Sequence, residues 1–159
     1  MELRKELQIN RPLEPGQELL LSLLLSREYA SRLSEERLFR PAGITDQQFN
    51  VLRILKGGPG EGYLVREIRA RMISPNADVP RLVERMARAG LVARGEDPSD
   101  RRGCRVRLTA EGEALEARLA VTHSELCQVV AGILDPGDSS ALLDLLQRFR
   151  DGVQERLQP

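Results

Sequence analysis

The chain of 159 residues has two cysteines, one histidine, no tryptophan, and only three phenylalanines and two tyrosines. Each scarcity excludes something. Cys104 and Cys127 have neither metal-ligand spacing nor the numbers for a disulfide framework, and His123 alone cannot build a metal cluster. No apolar run is long enough to span a bilayer. The segment Met1–Arg11 is charged and lacks the apolar centre of a secretory signal, so a cytoplasmic location without a membrane partner is expected. No Ser/His/Asp set is present. The glycine-rich Gly57-Gly58-Pro59-Gly60-Glu61-Gly62 follows a helical pattern and lacks the Gly-Lys-Ser/Thr ending of a phosphate-cradling loop, so it reads as a turn. The sequence therefore gives no sign of an enzyme, a cofactor or a metal.

Net charge is also absent, with 24 cations against 24 acids. The total conceals an uneven distribution. Residues 81–107 hold eight arginines against four acids, whereas residues 108–159 hold four arginines against nine acids. Local potential, rather than the whole-chain sum, attracts phosphate. With so few aromatics, the core must come from Leu, Val, Ile and Ala.

Hydrophobic spacing and punctuation divide the chain into helices. Residues 1–15, with Pro12 and Pro15, read as an extended arm. Gln17–Phe39 reads as a helix that is apolar on more than one face through Leu19-Leu20-Leu21 and Leu23-Leu24-Leu25. Such a helix needs cover on several sides; a partner subunit is the expected cover in a chain this small, with an ordinary central core helix as the alternative. Arg40-Pro41-Ala42-Gly43 ends it. Thr45 and Gln48 fit a reciprocal capping box for a helix carrying Phe49, Leu52 and Leu55. A short helix over about Leu64–Met72 follows, then a turn around Ile73-Ser74-Pro75.

The next helix has Val79, Leu82, Val83 and Met86 on its inward stripe and Arg81, Glu84, Arg85 and Arg88 on the other side, with Gly90 as its stop. Pro80 is tolerated only in a first turn, so the regular helix starts no earlier than about Asn76. Two β-prone runs, Leu91–Arg94 and Arg105–Leu108, then flank a loop of Gly, Asp, Pro and Arg, the pattern of a hairpin. Thr109 caps a long helix to about Ile133, striped by Leu115, Leu119, Leu126, Val129, Val130 and Ile133. Asp135-Pro136 opens a last helix to about Leu157, with Leu142, Leu145, Leu146, Phe149 and Val153 on its apolar face. A helix-turn-helix with a basic second helix, followed by a basic β-ribbon, is the arrangement that fits a major groove.

The segment Gly43–Leu55, the run Val79-Pro80-Arg81-Leu82-Val83-Glu84-Arg85-Met86 through Gly90-Leu91-Val92, and Asp97-Pro98-Ser99-Asp100-Arg101-Arg102 closed by Leu108-Thr109-Ala110-Glu111-Gly112 together resemble MarR-type bacterial regulators over about residues 17–157. The resemblance implies a mainly α fold with a small β-hairpin wing: a winged helix-turn-helix with N- and C-terminal dimerisation helices. On that pattern 1–39 is the N-terminal arm and dimerisation helix, 40–110 the DNA-binding lobe, and 111–159 the C-terminal dimerisation helices. It further implies a homodimeric repressor whose DNA binding is weakened by a small phenolic or other aromatic effector. This chain departs from the family at Pro80, where Thr or Ser is usual, and at Leu64, where a hydroxyl cap is usual. It also lacks the first-helix cysteine of the branch that senses organic peroxides.

Arg81 is the leading candidate for reading a base, through a bidentate contact to guanine O6 and N7, with a phosphate contact as the alternative. Asn76 and Asp78, at the same end of the helix, are further candidates for DNA contact. Arg85 and Arg88 touch phosphate or pair with acids, and Glu84 and Asp100 orient arginines. At the wing, one of Arg101 and Arg102 enters the minor groove and the other pairs with Asp100; the resemblance favours Arg102 as the paired one. The partner is double-stranded DNA, and two lobes on a twofold axis would read a pseudo-palindromic operator. Tyr29, Phe39, Phe49 and Tyr63 are candidate walls of an effector pocket, with plain core packing as the favoured alternative. Cys127 reads as a small core residue and Cys104 as a bystander on the wing. The competing reading is a winged-helix module for protein–protein contacts without specific DNA binding.

Overall fold

The computed structural model describes residues 3–74, 76–97 and 100–158, apart from the side chains of residues 97 and 100–102. Packing divides the chain into two units, Met1–Leu119 and Ala120–Pro159. No helix among the described residues is long and apolar enough to cross a membrane.

The first unit opens with a single helical turn, α1 (Leu3–Glu6), where an extended arm was expected. Its Glu6 accepts a hydrogen bond from the Tyr29 hydroxyl, which ties the arm to the following helix. Helix α2 (Pro15–Ser34) begins at Pro15 because a first-turn proline loses no helical hydrogen bond. Gln17 folds back to accept from the Glu14 N–H at 3.2 Å. Leu19, Leu20 and Leu24 on α2 are each more than half exposed.

The helix continues through a π-helical turn at Glu35–Phe39 into the short α3 (Arg40–Ala42). Pro41 accounts for the widening, because its ring would clash with the carbonyl four residues back at Arg37 in a regular α-helix. Leu38 and Phe39 turn inward there, and the Phe39 ring meets Phe49 at 5.7 Å between centroids.

Helix α4 (Asp46–Lys56) carries the expected reciprocal cap. Thr45 Oγ1 accepts from the Gln48 N–H at 3.2 Å, and Gln48 Oε1 accepts from the Thr45 N–H at 2.9 Å. The glycine-rich segment after α4 is a turn. It leads into a strand that sequence reasoning missed, β1 (Tyr63–Leu64), and only then into α5 (Val65–Arg71). Leu64 was expected inside the helix; it caps the helix from the strand instead, and its N–H is taken by Glu67 Oε2 at 2.8 Å.

Helix α6 (Val79–Arg88) buries Val79, Leu82, Val83 and Met86, the stripe its spacing predicts, and packs on α4 and α5. Strands β2 (Val92–Asp97) and β3 (Asp100–Leu108) form the ribbon. They pair antiparallel from Val92↔Leu108 to Glu96↔Cys104, with an irregularity between Glu96 and Asp97. Strand β1 adds to the other edge of β3, with Tyr63 opposite Val106 and Leu64 opposite Arg105, so the sheet order is β1-β3-β2. The expected two-stranded hairpin is thus a three-stranded sheet at its base. Gly62, at φ +84°, makes this possible: a Cβ there would fall 2.7 Å from the Val106 carbonyl carbon and inside its oxygen.

Helix α7 (Ala110–Ala131) starts in the first unit and ends in the second. Thr109 Oγ1 accepts from the Gly112 N–H at 3.0 Å, the expected cap, and donates to the Gly90 carbonyl at 2.5 Å. Helix α8 (Pro136–Leu157) starts at Pro136 with Asp135 Oδ1 accepting from the Asp138 N–H at 2.9 Å, also as expected. Of the apolar stripe predicted for α7, Leu119 and Leu126 are buried, whereas Val129, Val130 and Ile133 are exposed. On α8, Leu142, Leu143 and Leu145 are exposed as well. Cys127, expected in the core, is exposed on α7 beside His123. The helix turns the Cys127 position one notch away from the Leu119–Leu126 line, so an apolar neighbourhood in sequence does not bury it.

Candidate nucleic-acid interface

The turn between α5 and α6 is pinned from outside. Asn50 Oδ1 on α4 accepts from the Ile73 N–H at 3.2 Å, a bond that sequence reasoning did not anticipate because it spans 23 residues. Pro75, expected in this turn, lies outside the described residues. Asn76 is exposed. Asp78 is the N-cap of α6: its Oδ1 accepts from the Arg81 N–H at 3.3 Å. Its other oxygen lies 3.3 Å from Arg81 Nε. Asp78 therefore both starts the helix and aims the guanidinium of Arg81, whose side chain is 84% exposed. Pro80 occupies the first turn, where its missing N–H has no helical acceptor.

Further along the same face, Arg88 Nη2 donates to Glu84 Oε1 at 2.6 Å. That bond, followed by the charge of Arg88 and smaller contributions from Arg94 and Arg81, holds the Glu84 carboxyl below the usual carboxylate range. Of the two roles expected for Arg88, pairing with an acid is the one seen. Arg85 is exposed, and its side chain has no hydrogen-bond or ion-pair partner among the described residues. On the ribbon, Asp100, Arg101 and Arg102 belong to β3, but their side chains lie outside the described residues, as do Pro98 and Ser99 entirely.

Two cations have roles that sequence reasoning missed. Arg105, on the strand itself, donates to the Gly62 carbonyl at 3.1 Å and lies 3.7 Å from Glu61, so it braces the turn before β1. Arg71 stacks over the Tyr63 ring at 4.3 Å. Arg105 could not be paired from the sequence because the β1–β3 register is non-local, and Arg71 meets Tyr63 only because residues 63 and 64 form a strand ahead of α5.

The suggested aromatic pocket is only partly assembled. A cleft of about 600 Å³ is lined by Glu28, Ser31, Arg32, Glu35, Glu36, Phe39, Arg40 and Asp46. Phe39 contributes to it, whereas Phe49 packs in the core, Tyr29 is exposed and Tyr63 lies under Arg71. Arg32 Nε donates to Glu36 at 2.9 Å across this lining.

The geometry is thus a short helix with one face buried and a capped, cation-bearing N-terminus exposed, followed by an antiparallel ribbon. Comparison with known proteins places it. The sequence profile of the MarR family matches residues 42–103. The homoprotocatechuate degradative operon repressor of Escherichia coli is 30% identical over 135 residues, covering 82% of this chain and 86% of the repressor. The chain belongs to the MarR family. It is accordingly a winged-helix, DNA-binding transcriptional regulator. Among solved structures of this family, Sco3205 from Streptomyces coelicolor, determined in complex with DNA, superposes with a TM-score of 0.76 at 26% identity, covering 94% of this chain and 92% of Sco3205. The fold is also that of the PcaV regulator from the same organism, determined with its natural ligand, at a TM-score of 0.77 and 24% identity over 90% of this chain and 99% of PcaV. Among the described residues no group of three or more His, Cys, Asp or Glu is placed to hold a metal ion.

Proposed function

We propose that this MarR-family regulator is a homodimeric repressor that reads a pseudo-palindromic duplex, residues 40–110 contacting DNA and residues 1–39 and 111–159 joining the subunits. The observation that carries the reading is Arg81, exposed at the N-terminus of α6 and aimed by Asp78. A guanidinium held there reaches guanine O6 and N7 when α6 enters a major groove, with Asn76 beside it and Arg85 on phosphate. Arg101 and Arg102 serve the adjacent minor groove, one inserted and the other held by Asp100. The exposed leucines of α2 and the exposed apolar residues of α7 and α8 support a dimer, because faces of this size call for a partner. Two lobes then meet half-sites about 34–36 Å apart. A relative named for repressing a homoprotocatechuate degradative operon, and a neighbour determined with its natural ligand, support control by a small aromatic effector.

Selection of bound duplexes from a random pool by the purified chain tests this directly. The expected product is an inverted repeat with that spacing, retained less well as salt rises. Arg81→Ala should relax the preference at one base position in each half-site by about 1–3 kcal/mol. Arg102→Ala should weaken retention by disturbing the wing. Unchanged retention in both variants would reject the reading and leave a module for protein contacts. A monomer at micromolar concentration in sedimentation would reject the dimer.

A further inference from the structure

The most exposed large apolar side chain among the described residues belongs to the helix-turn-helix itself. Ile73, 83% exposed, lies in the turn between α5 and α6. A lone apolar side chain on a protein surface is ordinary. This one stands on backbone that is held in place from both sides. Its own N–H is taken by Asn50 Oδ1 on α4 at 3.2 Å. Met72, just before it, is buried and donates its N–H to the Arg69 carbonyl at 3.2 Å. Beyond it the Ala77 N–H is taken by the Ser74 carbonyl at 3.2 Å, and Ala77 is buried too. Folding thus fixes the turn and leaves the Ile73 side chain uncovered.

A turn closed between residues three apart keeps its ends within about 7 Å. Ile73 directly precedes that turn, and Asp78, which caps α6 and aims Arg81, directly follows it. Ile73 is therefore continuous with the end of α6 that carries Asn76, Asp78 and Arg81. Its side chain has no donor or acceptor. The one feature of a base edge that it can recognise in a major groove is the C5 methyl of thymine. Branching at Cβ restricts χ1, so the side chain gives up little freedom when a methyl covers it.

We infer that Ile73 is a specificity-determining residue that packs on the C5 methyl of a thymine in each half-site. The inference rests on the DNA reading above and adds an apolar contact to it. It assigns one operator position a preference that charge cannot supply, because a phosphate contact does not sense the base and a guanidinium does not sense a methyl.

The test uses the full chain and the duplex it selects from a random pool. Each thymine of one half-site is replaced in turn by uracil, which pairs in the same way but lacks the methyl. At one position the unaltered chain should bind about fourfold more weakly, the scale of one buried methyl group. Ile73→Ser should bind the thymine duplex more weakly by at least that factor and bind the uracil duplex as well as the thymine one. Its salt slope should stay unchanged, because no phosphate contact is lost. The uracil series on the unaltered chain needs no variant, so a poorly folded Ile73→Ser cannot hide a negative result. A selected half-site with no preferred thymine, uracil tolerated at every position, or a uracil penalty just as large in Ile73→Ser would overturn the methyl contact and leave the DNA reading standing. A chain that selects no duplex would overturn both.

Discussion

Gly112 offers a test in which two effects of known sign oppose each other. It sits in the first turn of α7, where alanine should stabilise the helix by at most about 1 kcal/mol relative to glycine. Packing says the reverse. A Cβ at Gly112 would lie 3.0 Å from the carbonyl carbon of Leu91, inside the contact distance of its oxygen, and 3.3 Å from Leu108 Cδ2. Neither carbonyl atom can swing aside, because the Leu91 oxygen accepts from the Thr109 N–H at 3.2 Å. The first turn of α7 must therefore shift. Overpacking of this kind costs about 1–3 kcal/mol. Losing the Thr109 bond adds about 0.5–1.5 kcal/mol, and disturbing the Thr109 cap adds about 1 kcal/mol. Packing outweighs propensity, so Gly112→Ala should destabilise the chain by about 2–4 kcal/mol. At about 2–4 °C per kcal/mol for a chain of this size, the melting temperature should fall by roughly 10 °C. Urea unfolding at a fixed protein concentration measures it, since a dimer's stability depends on concentration. Gly16→Ala is the control: nothing lies within 4 Å of the added carbon, and its midpoint should hold or rise slightly. A Gly112→Ala protein as stable as the original, or more so, would refute the close-approach argument.

Removing the α4 cap with Thr45→Ala should cost about 1 kcal/mol, read in the same unfolding assay, because both halves of the reciprocal box with Gln48 are present. The Arg88–Glu84 pair makes a pH-dependent contribution. The Glu84 carboxyl is depressed in the folded chain by its bond from Arg88, so the pair stabilises above the unfolded carboxylate value and that contribution is lost as pH falls through the folded one. Arg88→Gln should therefore lower the urea midpoint near neutrality and converge with the original protein at the acid end; a gap that persists at low pH would show that the pair is not its source. Leu20→Glu and Leu145→Glu together should shift sedimentation from dimer to monomer without loss of helical circular dichroism, and a dimer retained at micromolar concentration would place the subunit contact elsewhere.

Local chemistry made much of the fold legible in the sequence. Thr45 with Gln48, Asp135 with Asp138, and Thr109 with Gly112 are bonds between residues three apart, so each end of α4, α7 and α8 that they set was readable. The inward stripe of α6 was readable for the same reason, since four apolar residues at helical spacing allow one burial. What escaped depends on distant segments. Strand β1 is two residues long and exists only because β3 offers it an edge. The bond from Ile73 to Asn50 and that from Arg105 to Gly62 close over 23 and 43 residues. Exposure of Cys127 was misjudged because the apolar stretch of α7 was taken as one buried face, whereas Cys127 lies beside the Leu119–Leu126 line and not on it. At the interface the sequence named Arg81, Arg85 and Arg88 but could not show which would be tied. Asp78 holds one and Glu84 another.

The three-stranded part of the sheet is short. Strand β1 reaches only Val106 and Arg105, and among the described residues the ribbon beyond Arg105 is two-stranded. The lobe is therefore indifferent to the length of what extends past that point. Lengthening or shortening the ribbon past Arg105 should therefore leave the packing of the helices beneath it as it is.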